Sequence, residues 1–396
     1  MSVACTIKIK ASRLVGKQIM YYKTDWADAK KRLEAFWFGE LTDRCCAVIL
    51  APRKTSKLPK FPHLTNGPWL GGLEKFKEDD IEAIRRWWCD PEQNYQRAIT
   101  WMENTYFGGE AAPGTYINWG ASAGCAFWGS PPVFSKTSVW YHKVIEDWET
   151  WKWHFDPATN PSHQNILEIQ RCFAERCGGR YFVGMPEIGN AADNLSLMRG
   201  MDDLCMDLLG DPDEVKNAVD VMSDAWVALH EELHAISAPL NENGAVLPWL
   251  NLWAPGRHDQ IANDFSTTIS SPMFREFFFP ELRKMGGWLD YTTFHLDGPR
   301  CIHNHVDALL ELEEIDCIQF TPGVGSPPAT TPEYIPIFQK IQRAGKRLYL
   351  LAEPAEIEFL LSQLSARGLL LNTWADSEDA ANDLLGKMAK WSRVRD

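Results

Sequence analysis

His295 and Asp297 stand two residues apart in Phe294-His295-Leu296-Asp297-Gly298. At the end of an extended segment that spacing sends both side chains to one face. There an imidazole and a carboxylate can share one metal ion or one substrate. Two chemistries follow: ligation of zinc or another divalent ion, or general acid–base work by an imidazole and its orienting carboxylate. A plainer alternative makes His295 a hydrogen-bonded core residue and Asp297 the N-cap of a helix that opens at Gly298-Pro299. Glu353 closes the apolar run Leu348-Tyr349-Leu350-Leu351. An acid there is hard to explain by solvation alone, so it ranks third as a catalytic or metal-ligating group.

Polar residues follow nearly every predicted strand. Glu187 comes after the short strand 180–185, Arg257 and His258 come after the strand 246–253 in a Pro-Gly loop, and Gln319 comes after Cys317. Asn372, Trp374 and Asp376 come after Leu371. Arg257, His258, Asp264 and Gln319 are therefore candidates for substrate contact, although surface loops carry such residues without function too. Trp128, Trp253 and Trp374 lie at strand ends or in an aromatic loop segment, and they are expected to wall a pocket. Gly323-Val324-Gly325 can cradle an anion, but a lone G-x-G is weak grounds for a site. His303 and Asp307, four apart on a helix, read as exposed or capping residues, with His305 on another side.

The elements that must position these groups are legible in the apolar spacing. Helical periodicity runs over 26–38, 92–106, 161–177, 203–209, 213–236 and 272–289, then over 303–312, 331–343, 355–366 and 377–392. Short apolar runs at 45–50, 180–185, 246–253, 291–296, 317–320, 347–351 and 369–372 read as strands. Residues 51–80, rich in Pro, Lys and Gly, predict an irregular excursion, and 111–134 suits active-site loops. Strands that alternate with helices imply parallel βαβ units. Enough of them close a single distorted (β/α)8 TIM barrel over 1–396, with its reactive groups at the C-terminal ends of the strands.

Composition narrows the chemistry. A formal net charge of −13 with no basic stripe argues against nucleic acid, and against a strongly polyanionic substrate unless a local Arg cluster receives it. The ten cysteines have neither zinc-ribbon spacing nor the density of a disulfide framework. They are expected as small buried residues in a reducing compartment. No stretch approaches a membrane span. The expected location is the cytoplasm; the basic, acid-free start (Lys8, Lys10, Arg13, Lys17) leaves a mitochondrial presequence as the alternative.

Several segments together resemble the uroporphyrinogen decarboxylase-like superfamily. They are Lys31-Arg32-Leu33-Glu34-Ala35-Phe36-Trp37 with Asp43-Arg44, Phe107-Gly108-Gly109-Glu110-Ala111-Ala112-Pro113, residues 197–212, Asp264 ahead of Ser271-Pro272-Met273-Phe274, and Phe294 to Gly298 followed by Ile315-Asp316-Cys317-Ile318-Gln319. The resemblance implies one distorted (β/α)8 barrel. It also implies either a cofactor-free decarboxylase or a zinc-dependent methyltransferase whose methyl partner is a corrinoid protein. This chain departs from both patterns. The Arg-rich segment that grips substrate carboxylates is missing around Trp69 to Lys75, and the thiolate zinc ligands are replaced by His295-x-Asp297 and by Thr373-Trp374. A site of His295, Asp297 and Glu353 would be oxygen-rich, able to hold zinc or to work without metal. The expectation is a methyltransferase-like or demethylase-like enzyme with a small substrate and a corrinoid protein as partner. The rivals are a metal-free decarboxylase that uses His295 and Asp297 as acid and base, and a non-catalytic barrel that binds a planar ligand.

Overall fold

The computed structural model describes residues 20–58, 71–323 and 325–395. The basic N-terminal start, Trp69, Val324 and residues 59–68 of the excursion lie outside them. The chain runs α1 (Trp26–Trp37), β1 (Cys46–Pro52), α2 (Ile81–Cys89), α3 (Pro91–Asn104), β2 (Thr105–Gly109), β3 (Val133–Phe134), β4 (Val139–Trp140), α4 (Pro161–Arg176), α5 (Ala191–Arg199), α6 (Met201–Gly210) and α7 (Pro212–Ser237). It continues through β5 (Ala245–Leu247), β6 (Leu252–Ala254), β7 (His258–Ala262), α8 (Ser271–Trp288), β8 (Tyr291–Asp297), α9 (Gly298–Leu310), β9 (Cys317–Thr321), α10 (Ile335–Arg343), β10 (Arg347–Leu351), α11 (Ile357–Gln363), β11 (Leu369–Trp374) and α12 (Glu378–Trp391). Helix starts follow the expected chemistry. Asp90 accepts from the Gln93 amide ahead of Pro91, and Asn160, Ser270 and Ser377 cap α4, α8 and α12 in the same way.

Seven strands pair in the order β2-β1-β11-β10-β9-β8-β7, and every pair is parallel except β1 with β2. The arrangement is mixed α/β and barrel-like. Among the described residues, however, the ladder stays open rather than closing on eight strands. The remaining wall consists of extended segments joined by scattered bonds: Phe182 N–H to Pro113 O at 2.9 Å, Thr115 N–H to Phe182 O at 3.0 Å, and Met185 N–H to Val246 O at 3.3 Å. Pro113, Pro186 and Pro248 have no N–H to give a ladder, which is why the expected strand at 180–185 reduces to one bridge, Gly114 with Phe182.

Three more expectations change. Residues 246–253 are not one strand but the hairpin of β5 and β6, joined by a 3-10 turn at Pro248–Leu250 that ends at Asn251 in the left-handed region (φ 52°). The helix expected to 106 ends at Asn104, and the β-branched and aromatic pair Thr105-Tyr106 opens β2. Helices α2 and α5 were not foreseen.

One contiguous apolar core runs from Met20 to Met388. Inside it the Arg44 guanidinium makes two 2.8 Å bonds to the buried Glu110 carboxylate, which also accepts from Ala47 N–H at 2.7 Å. This pair pins β1 to the end of β2, and Arg199 pairs with Asp207 between α5 and α6 at 2.6 Å. Much of what resembled a family signature is therefore architecture. Among the described residues no helix is long and apolar enough to cross a membrane, and the nine cysteines there are unpaired thiols.

Candidate functional site

The C-terminal ends of β7 to β11 open into a cavity of about 1150 Å³. β8 delivers His295 and Asp297 to it together, both partly exposed, while the intervening Leu296 and preceding Phe294 are buried. The pleat thus acts as the spacing predicted. In the parallel register His295 lies beside Gln319 of β9, and its Nδ1 donates to Gln319 Oε1. Gln319 Nε2 in turn donates to Thr321 Oγ1 at 2.8 Å, which turns the amide oxygen toward the ring. The neutral imidazole therefore carries its proton on Nδ1, and Nε2 is its basic nitrogen. Trp249, on the turn between β5 and β6, meets the ring edge-on at 5.3 Å. Asp297 occupies the N-cap position of α9 but makes no side-chain capping bond. Burial raises its carboxyl above the ordinary range, and nearby Asp264 adds to this while His295 opposes it.

The remaining expected site residues divide. Asp264, Trp374 and Glu353 line the cavity. Glu353 is exposed and its carboxylate is engaged in a capping box with Glu356 at the 3-10 turn Pro354–Glu356. Gln319 acts behind His295 rather than on the cavity wall. Arg257 and His258 stand at the opposite end of the strands, because residue 258 opens β7 instead of following a strand. Arg257 pairs there with Asp290 at 2.9 Å, and His258 is buried against Thr293 Oγ1 at 3.0 Å, its pKa lowered to about 4 by desolvation. Trp253 is buried against Trp26 and donates to Asn241 O at 3.1 Å. Trp128 packs with Trp153 and Phe155. Neither of these two tryptophans lines the cavity.

A second constellation faces the same space. Glu187 accepts from Tyr116 Oη at 2.7 Å and from Gln260 Nε2 at 2.6 Å. Burial pushes its carboxyl from the ordinary 4.5 up to about 7, with Asp259 and Asp264 adding to the rise and the two hydrogen bonds opposing it. Gln260 N–H donates to Asp259 Oδ1 at 2.7 Å, and Asp259 Oδ2 meets His230 Nε2 at 2.7 Å. His230 Nδ1 faces the Trp226 carbonyl at 2.9 Å, and its ring stacks on the Trp226 indole at 3.4 Å. Asp193 comes from α5 and accepts from Phe265 N–H at 3.0 Å; desolvation and Asp264 hold its carboxyl well above the usual range. Two polar atoms of lining residues are buried without a partner, Gln260 Oε1 and Trp249 Nε1. In the sequence, Glu187 was visible only as one polar strand end among several. Asp193 and His230 sit inside helices and gave no signal.

A metal fits poorly here. Among the described residues no three His, Cys, Asp or Glu side chains gather as a ligand set. Glu353 is used as a cap, so among the described residues His295, Asp297 and Glu353 do not gather as the expected triad.

These features define an α/β protein with an acid-lined cavity at the C-terminal mouth of a mostly parallel sheet. No protein-family model matches the sequence. No curated protein matches it either. Among solved structures, the fold is similar to that of a methyltransferase from Methanosarcina mazei, at 14% identity and a TM-score of 0.58, over 91% of this chain and 98% of that one.

Proposed function

We propose that the protein is a methyltransferase-like or demethylase-like enzyme that acts on a small molecule in the C-terminal cavity, with a corrinoid protein as methyl partner. The observation that carries this reading is the cavity itself, with Glu187 held by Tyr116 and Gln260 at a pKa near neutrality, where one group can both give and take a proton. The likeness over nearly the whole of a methyltransferase chain supports the choice of methyl transfer among acid–base reactions. His295, with Nδ1 tied to Gln319, supplies a second base at Nε2. A corrinoid protein would bring the methyl-carrying centre to the cavity mouth, edged by the exposed Leu197 and Met201; this chain's residues would bind and orient the small substrate and manage its proton. The fold-family expectation of one distorted (β/α)8 barrel belongs to the same proposal, with the irregular wall standing in for its missing strands.

Decarboxylation is less well supported. Among the described lining residues there is no lysine or arginine to receive a carboxylate. The test is to incubate the protein with methylcobalamin as a surrogate methyl carrier and follow its absorbance. Wild type should accelerate methyl loss to a thiol at least about tenfold over the Glu187→Gln variant. No acceleration by wild type, with carbon dioxide release from a carboxylated substrate instead, would reject the proposal in favour of a lyase.

A further inference from the structure

The cavity walls carry Glu187, Asp193, Asp259, Asp264 and Asp297. Among the described residues that line it there is neither lysine nor arginine, and the two imidazoles, His230 and His295, are the only titratable bases. Several of the acids are satisfied by neutral donors: Glu187 by a phenol and an amide, Asp193 by a backbone N–H. Such bonds orient a carboxylate without cancelling its charge. The acids also lie near enough to work against one another, since Asp264 contributes to the raised carboxyls of Glu187, Asp193 and Asp297. Tyr116, Trp226, Trp249 and Trp374 line the same cavity, and aromatic ring faces are negative as well, one face of Trp226 being covered by His230. Gln260 Oε1 adds a buried acceptor with no donor.

We propose that this cavity takes a cationic organic ligand, a protonated or fully alkylated ammonium compound. An anion would meet five carboxyl groups, with His230, His295 and the Trp249 N–H to receive it. A neutral molecule would leave the like charges uncompensated. An ammonium group meets carboxylates and aromatic rings together, the combination that suits a diffuse cation, and its binding offsets the mutual repulsion that adds to burial in raising those carboxyls. The volume of about 1150 Å³ exceeds what a bare ammonium fills, so the ligand has an organic body or shares the space with a second reactant.

This rests on the methyl-transfer reading only for the role of the cation, which is then the methyl donor. The N–CH₃ bond of a quaternary ammonium breaks, its electron pair stays on nitrogen to give a neutral amine, and the methyl group bonds to the acceptor's nucleophilic lone pair. No oxidant or reductant is needed.

The test is titration calorimetry at pH 8 and low salt with three compounds of matched shape: choline, the neutral 3,3-dimethylbutan-1-ol and the anionic 3,3-dimethylbutanoate. Choline should bind about tenfold or more tightly than the alcohol, and the carboxylate should not bind. Asp264 is exposed and its Asp264→Asn variant should fold normally, so that variant should weaken choline several-fold and leave the alcohol unchanged. Equal binding of choline and alcohol, or tighter binding of the carboxylate, overturns the proposal. Choline binding without any methyl loss supports the ligand class and counts against methyl transfer. Methyl transfer from a neutral methyl ether with no choline binding does the reverse.

Discussion

Replacement of Glu187 by Gln should make the protein about 2 kcal/mol more stable above neutral pH and about 1 kcal/mol less stable below pH 5. In the fold, burial beside Asp259 and Asp264 lifts this carboxyl from 4.5 to about 7. The folded chain therefore holds the proton over a range where the unfolded chain has released it. Stability from this group is fully present below about 4.5 and is lost as pH rises through about 7. At about 1.4 kcal/mol per tenfold change in proton affinity, the loss amounts to roughly 3 kcal/mol between pH 4.5 and 8. The amide in Glu187→Gln is neutral throughout. Its oxygen can still accept from Gln260, and the Tyr116 hydroxyl can turn to accept from the new NH₂, so the direct cost is about 1 kcal/mol. Glu281 must be separated from this effect: it is buried on α8 against Asn190 and the first amides of α5, and it is also raised to about 7 by desolvation. Its contribution is common to both proteins and cancels in the difference. Urea unfolding at half-unit steps from pH 5 to 8 supplies the two curves. If they run parallel, Glu187 is not held at a raised pKa, and its role as the neutral-pH acid falls with it.

Gln319→Leu removes the acceptor that fixes the His295 ring and should lower kcat about tenfold or more with little change in melting temperature; equal kcat would mean that the ring needs no orienting partner. Glu353→Ala should cost about 1 kcal/mol through the lost capping box and leave metal content, measured by mass spectrometry, unchanged. Loss of a stoichiometric metal would restore Glu353 as a ligand. Trp253→Ala should cost about 3 to 5 kcal/mol through the cavity it leaves in the core. Choline affinity measured well below the lowered melting point should stay as in wild type, and a selective loss of binding would return Trp253 to the cavity wall.

The sequence made the central β-strands and their polar C-terminal ends readable because a parallel strand buried on both faces has to be a short apolar run. His295 and Asp297 were found by the same period of two. Where the chain departs from regular ladders, the reading slipped by one element. A run such as 246–253 is apolar enough for a strand, yet Pro248 and the left-handed Asn251 fold it into a hairpin. Arg257 and His258 then moved from the reactive end of a strand to the opposite end of the next one. Tryptophans misled for a related reason: an indole at a strand end packs equally well into core or cavity, and only tertiary placement separates Trp249 and Trp374 from Trp253 and Trp128. Glu187, Asp193 and Asp259 drew no notice as a group because they are far apart in sequence and meet only when the irregular wall closes on the sheet.

That irregular wall divides the site mechanically. His295, Asp297 and Gln319 ride on β8 and β9, strands bonded along both edges, so their spacing is set by a lattice of backbone hydrogen bonds that yields only when the sheet does. Tyr116 and Glu187 hang from buried segments held by single backbone bonds and by side chains, such as Asn241 on both the N–H and the carbonyl of Val183, rather than by a continuous ladder. One half of the site is therefore held by a ladder and the other by separate bonds, each of which can open alone. Amide exchange should be slow at Phe294 to Phe320 and faster across 114–117 and 183–188. If that difference in exchange is measured, the Glu187 side is the half that adjusts to a ligand while the His295 side stays fixed.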